Sequence, residues 1–173
     1  WLAAGTFHGS GTRVWNLATL QLVKDFNEGN TRVAFSPDGR WLASGGSRLL
    51  QVFLTTTWER VFSKPSETGS DLPNSVAFAP DATLLATVQQ RRRVELHHVA
   101  GWDLAASLVP PDPQVVTWLA FSPDSRQLAV STAQDLVQLW ELHRLHEELA
   151  NLGLDWRTSG GLGQLPAARS TID

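Results

Sequence analysis

The sequence predicts an all-β chain: a partial β-propeller of about three and a half four-stranded antiparallel blades, closed by a short C-terminal α-helix. Three observations predict it. The segments VAFSPDGRWLA from Val33, VAFAPDATLLA from Val76 and LAFSPDSRQLA from Leu119 align without a gap, each starting 43 residues after the last, with six of eleven columns identical. Strand-length apolar segments recur between the copies, so one supersecondary unit is stacked rather than folded into an irregular core. After Leu142 the apolar pattern changes to a helical one.

Each copy opens on a strand. Val33, Val76 and Leu119 alternate with Ala34, Ala77 and Ala120 and then Phe35, Phe78 and Phe121. This period of two predicts a strand buried on both faces, one face tight enough to need alanine. Pro37-Asp38, Pro80-Asp81 and Pro123-Asp124 then predict turns, because proline presets φ and aspartate bonds its own backbone. Leu42-Ala43, Leu85-Ala86 and Leu128-Ala129 begin the returning strand of a hairpin. Third strands follow as TRVWNL from Thr12, LLQVFL from Leu49, RVELHHV from Arg93 and LVQLWEL from Leu136. More polar fourth strands follow in the first three copies: QLVKDF from Gln21, ERVFSK from Glu59 and DLAASLV from Asp103.

The units at the two ends are partial. Trp1-Leu2-Ala3-Ala4-Gly5 matches Trp41-Leu42-Ala43-Ser44-Gly45, so the chain enters at a second strand, and the last unit has three strands. The expected divisions are a partial blade at 1–28, blades at 29–66 and 70–111, a three-stranded blade at 114–142, a helix at 143–153 and a flexible tail at 154–173. Leu142, Leu145, Leu149 and Leu152 form the helical stripe; Gly153 stops it, with Leu154 placed for a Schellman contact. A chain that starts at Trp1 and has no methionine is expected to be a fragment. Closed propellers need about 4–8 blades, so the remaining blades of the parent chain are an expected partner.

These residues resemble the WD-repeat family. The turn FSPDG, the strand LASGG from Leu42 and the endings VWNL from Val14 and LWEL from Leu139 carry the resemblance, over about residues 1 to 142. The departures are equally specific. The family's Gly-His pair is absent, with Gly29-Asn30 and Gly69-Ser70 nearby. Its Trp-Asp pair appears only as Trp15-Asn16 and Trp140-Glu141, and His97-His98 stand in that slot in the third copy. The resemblance therefore implies that the family's buried His–Ser/Thr–Asp–Trp network does not form in full and that apolar packing replaces it. The helix ending in LGLDW is similar to the C-terminal end of bacterial WD-repeat proteins, some of which carry an upstream serine/threonine kinase.

Composition excludes several functions. With 14 basic and 17 acidic side chains the net charge is −3, which gives no electrostatic reason to expect nucleic acid or an anionic membrane. Without cysteine there is no disulfide, thiolate metal site or cysteine nucleophile. No apolar run approaches the ~20 residues of a membrane span, and the start has no signal-peptide pattern. A cytoplasmic location is expected. No G-x-S-x-G elbow, P-loop or G-x-G-x-x-G is present, so no catalytic residue and no cofactor is expected.

The histidines carry no metal expectation. His97 and His98 are adjacent in a strand and point to opposite faces, so they cannot share one ion. His143 and His146 lie at i, i+3 on the helix beside Glu147 without a third ligand of obvious spacing. Candidate partner-binding residues are Arg91, Arg92 and Arg93, between second and third strands, with Arg48 in the equivalent loop of the preceding blade. The resemblance places those loops on the face where the family most often binds partners. Clustered like charge there points to an acidic or phosphorylated partner. Trp118 joins them, since its column, shared with Arg32 and Ser75, varies between copies near that face. Trp15 and Trp140 are read as core.

The function expected is therefore a non-catalytic protein-interaction scaffold for a protein or peptide, forming the C-terminal part of a larger propeller. The alternatives are a sensor propeller regulating a serine/threonine kinase, and part of a propeller enzyme with its site in the central channel, where Arg32 is the ionisable side chain of the innermost strands.

Overall fold

The computed structural model describes residues 1–7, 9, 11–27, 29–66, 73–110 and 114–154. The Gly69-Ser70 pair and the tail beyond Leu154 lie outside these. The strands form four antiparallel sheets in chain order, a partial β-propeller. The first holds β1 (Leu2–Gly5), β2 (Thr12–Asn16) and β3 (Gln21–Phe26); the second holds β4 (Thr31–Phe35), β5 (Trp41–Gly46), β6 (Leu49–Leu54) and β7 (Arg60–Pro65). The third holds β8 (Val76–Phe78), β9 (Leu84–Gln89), β10 (Arg93–His98) and β11 (Leu104–Leu108); the fourth holds β12 (Val116–Phe121), β13 (Gln127–Thr132) and β14 (Val137–Glu141), and α1 (Leu142–Asn151) follows. Every sheet is a meander. The repeated alanines meet across each first hairpin: Ala34 with Ala43, Ala77 with Ala86, Ala120 with Ala129. The leading strands β4, β8 and β12 adjoin one another, with β1 against β4, so the sheets fan from that side.

The first hairpin turn is built the same way twice. The Ser36 hydroxyl donates to Asp38 Oδ1 and accepts from the Trp41 amide at 2.9 Å, and the Arg40 amide donates to Asp38 Oδ1 at 3.1 Å. Ser122, Asp124, Arg126 and Gln127 repeat these bonds at the same distances. Hydrogen bonding from the serine holds Asp38 and Asp124 below the usual carboxylate range. In the middle copy Ala79 replaces the serine, and Thr83 bonds Asp81 through its amide at 3.0 Å and its hydroxyl at 2.7 Å. One residue of each turn is left-handed: Gly39, Ala82 and Ser125.

Burial is between sheets. Val14 packs with Leu42, Phe53 and Trp58; Ala43, Leu50 and Val52 pack with Val76, Phe78, Leu85 and Val99. Val94, Leu96 and Leu108 pack with Leu119, Leu128, Val130 and Leu142. No sheet could hide these faces alone. An aromatic clasp recurs at the first two junctions. Trp1 meets Trp58 edge-on at 5.2 Å, and Trp41 meets Trp102 edge-on at 5.3 Å. Trp58 and Trp102 both sit at positive φ in the loop before the last strand of the next sheet. At the third junction Leu84 stands in the Trp41 column, and Leu145 of α1 packs into the same core.

Glycine is required at one repeated position. A Cβ at Gly5 would collide with the Thr31 carbonyl, and one at Gly45 with the Asn74 carbonyl. Both glycines admit the leading strand of the next sheet. Val88 holds that column in the third sheet, and β12 shifts register at the facing residue, Thr117.

Two sequence expectations change. The leading strand is not buried on both faces everywhere: Trp118 and Ala120 of β12 are exposed, although the Arg32 guanidinium lies over the Trp118 ring. Apolar packing is also joined by polar links between sheets. Thr12 Oγ1 lies 2.9 Å from Thr31 Oγ1 and 3.2 Å from Ser44 Oγ, all three buried. Of the two tryptophans read as core, both are partly buried; Trp140 packs against the third and fourth sheets, while Trp15 pairs across the strands with the exposed Leu2 and Leu22.

The helix start is held by the Arg126 carbonyl, which accepts the Leu142 amide at 2.9 Å. Its end is a Schellman motif: Gly153 at φ +74 donates to Ala150, and Leu154 donates to Leu149 at 2.8 Å. None of the described helices is long and apolar enough to cross a membrane.

Candidate functional site

The starts of β4, β8 and β12 lie at one end of the sheets, together with the β5–β6 and β9–β10 turns. The turns carrying Asp38, Asp81 and Asp124 lie at the other. The first end gathers Arg32, Arg48, Arg91, Arg92, Arg93 and Trp118.

The β9–β10 turn is tight, with Gln90 at φ +49 and Arg91 at φ +58. It is anchored at both sides: the Arg92 amide donates to Gln89 at 3.2 Å, and the Arg91 carbonyl accepts from Val116 at 2.7 Å. The Arg91 and Arg92 side chains thus project from a fixed backbone. Arg92 is exposed. Arg48 is also exposed, on a turn whose carbonyl accepts from Ser66 at 2.7 Å.

Arg93 differs. It lies inside β10 and its Nη2 donates to Glu95 Oε1 at 3.2 Å. Glu95 is 3% exposed and is the centre of a network the sequence reading missed. Lys64, from β7 of the preceding sheet, donates to its Oε2, and His97 Nε2 lies 3.2 Å from the same oxygen. His97 Nδ1 lies 3.2 Å from the Trp102 carbonyl. Burial works to raise the Glu95 pKa, but Lys64 and His97 outweigh it and hold the carboxyl below its usual range. Burial pushes the His97 imidazole down against the pull of Trp102 and Glu95, so the neutral ring donates to one of its two acceptors at a time. His97 is buried, and it helps to seat Glu95 between two sheets.

Arg32 brings three sheets together. Its side chain crosses from β4 past the start of β8, donates through Nη1 to the Thr117 carbonyl, and lays its guanidinium 4.9 Å from the centre of the Trp118 ring. Partial burial lowers its pKa from the ordinary arginine value. Between Arg32 and Arg91 lies a cavity of about 190 Å³, lined also by Phe7, Pro73, Asn74, Ser75, Val116 and Thr117. No carboxylate of the described residues pairs with either guanidinium. The chemistry available is anion recognition beside an aromatic face; no three His, Cys, Asp or Glu side chains of the described residues group as metal ligands.

The five candidates named from sequence, Arg48, Arg91, Arg92, Arg93 and Trp118, all lie at this end. Sequence reasoning weighed Arg32 for a channel rather than for a contact with Trp118. The bulge at Thr117, which offers Arg32 its carbonyl, left no pattern in the sequence.

A family model described as WD domain, G-beta repeat, matches residues 3–53 and 104–141. The stretch between, outside the match, holds the turn without serine at Ala79 and the Glu95–His97 network.

Proposed function

This chain belongs to the WD-repeat family, whose domains are in general protein-interaction scaffolds, and we propose that it binds a protein or peptide through the end carrying Arg48, Arg91, Arg92 and Trp118. The observation that carries the reading is the pairing of a rigid base with unspent recognition groups. The Arg91 turn is bonded to the neighbouring sheet, while its side chain and that of Arg92 have no carboxylate partner among the described residues. Trp118 is 58% exposed, and such aromatic and arginine groups are what interface centres are made of. Arg93 supports the surface from beneath through Glu95. The role requires no catalytic step.

The proposal includes further blades completing the scaffold. Val137 and Leu139 stand in the columns of Val94 and Leu96, which the fourth sheet buries, yet both are exposed, as are Leu2 and Leu22 on the first sheet. Such faces are made to be covered by another sheet.

A positional cross-linking experiment tests the partner face. A photoreactive residue placed at Arg92 or Arg48 captures a discrete protein in extract of the source cells, while the same residue at Asp38, on the opposite end, does not. Equal capture from both ends, or capture from Asp38 alone, overturns the assignment of the face.

A further inference from the structure

We infer that the cavity between Arg32 and Arg91 seats a single phosphorylated side chain of an extended peptide. This rests on the partner-face reading above and names the chemistry recognised there.

The cavity holds two guanidinium groups and no acid among its described lining residues. A partly buried cation without a counter-ion is costly, and the cost is recovered when an anion binds. Arg32 is also held in place before any ligand arrives. One of its donors is used on the Thr117 carbonyl and its plane rests on Trp118, which leaves the other guanidinium donors for an incoming anion. Arg91 approaches from the far wall on a backbone fixed by Val116.

Size and polarity favour phosphate over carboxylate. About 190 Å³ admits a tetrahedral anion with part of its side chain. Two forks match a dianion with three acceptor oxygens better than a monoanion with two. Ser75 adds polarity at the floor: its hydroxyl oxygen accepts the Leu119 amide at 3.2 Å, which aims its proton elsewhere. Beside the cavity, Trp118 and Phe7 offer exposed apolar surface for the residues flanking the phosphate. An extended peptide can place one side chain in the cavity and its neighbours on these rings. A nucleic acid or a membrane would demand a wider positive surface than a chain of net charge −3 presents.

The test uses the full 173-residue chain and fluorescein-labelled pentapeptides with leucine on both sides of a central serine, phosphoserine or glutamate. The phosphoserine peptide is expected to bind at least tenfold more tightly than the glutamate peptide, with the serine peptide weaker still. Inorganic phosphate should compete only weakly, because it lacks the flanking contacts. Arg32→Ala and Arg91→Ala should each weaken phosphopeptide binding at least tenfold. Arg60→Ala, on the opposite end, should leave it unchanged. Arg91 lies in an exposed turn, so its variant remains folded even if Arg32→Ala disturbs the junction at Thr117, and circular dichroism checks both. Equal affinity for all three peptides, or full affinity in the Arg91→Ala protein, overturns the inference. So does tighter binding of an oligonucleotide or of anionic vesicles. If the phosphopeptide fails while cross-linking from Arg92 persists, the partner face stands and this cavity is not its anchor. If cross-linking fails as well, both readings fall.

Discussion

Replacing Phe78 by alanine lowers the free energy of urea unfolding by about 3–5 kcal/mol. Phe78 is buried among Val76, Leu85 and Val99 of its own sheet and Ala43, Leu50 and Val52 of the preceding one. β8 is only three residues long, and Phe78 and Val76 are its buried side chains at that junction. Its removal leaves a cavity lined from two sheets, and neither can collapse into it without moving the other. A loss below about 1 kcal/mol would mean that the side chain is not at the junction.

Replacing Lys64 by methionine costs about 2–3 kcal/mol at neutral pH and changes the acid response of the fold. Removing one partner of a fully buried ion pair typically costs about 3–5 kcal/mol. The smaller figure reflects the ammonium, whose side chain is 33% exposed, and the retained Arg93 contact. The pH dependence follows from the directions of the shifts. Glu95 is held below its usual range in the folded state, so its contribution is present above the ordinary carboxylate value and is lost as pH falls through the folded value. His97, also shifted down, makes stability fall as pH drops below the usual histidine value. Without Lys64, burial is left to favour the neutral acid. Below the ordinary carboxylate pKa the Lys64→Met protein should therefore lose less stability than the parent. Chemical denaturation across pH 3–8 (roughly the span of the two ordinary ranges) measures this. Parallel profiles for the two proteins would show that Lys64 does not govern Glu95.

The difference between what could and could not be read from sequence follows from range. The hairpins were legible because alternation at Val33, Val76 and Leu119 and the proline–aspartate turns are local patterns, and repetition made each copy a check on the others. The Schellman end at Gly153 and Leu154 was legible for the same reason. The helix itself begins at Leu142, one residue earlier than expected, because the Arg126 carbonyl of another turn receives its first amide. The Lys64–Glu95 pair joins residues 31 apart in different sheets, and Arg32 reaches a carbonyl 85 residues away. Neither leaves a periodic trace. Glu95 in particular reads as an ordinary polar residue on a strand, and only the neighbouring sheet makes it the centre of a junction. The tryptophan clasps stand between the two cases. Trp1 and Trp41 share a column, and Trp58 and Trp102 share another, but nothing local says that one column touches the other across a junction. The match to departures from the family pattern has the same cause: where the usual serine and tryptophan are absent, residues from adjacent sheets supply the polar and aromatic contacts.

Hydrogen exchange on the Phe78→Ala protein tests most directly whether the sheets depend on one another. Mutual burial predicts that amides of β5 and β6, in the sheet before the substitution, lose protection together with those of β8 and β9. Loss confined to β8–β11, with β5 and β6 as slow to exchange as in the parent chain, would show sheets stable on their own and would contradict the account.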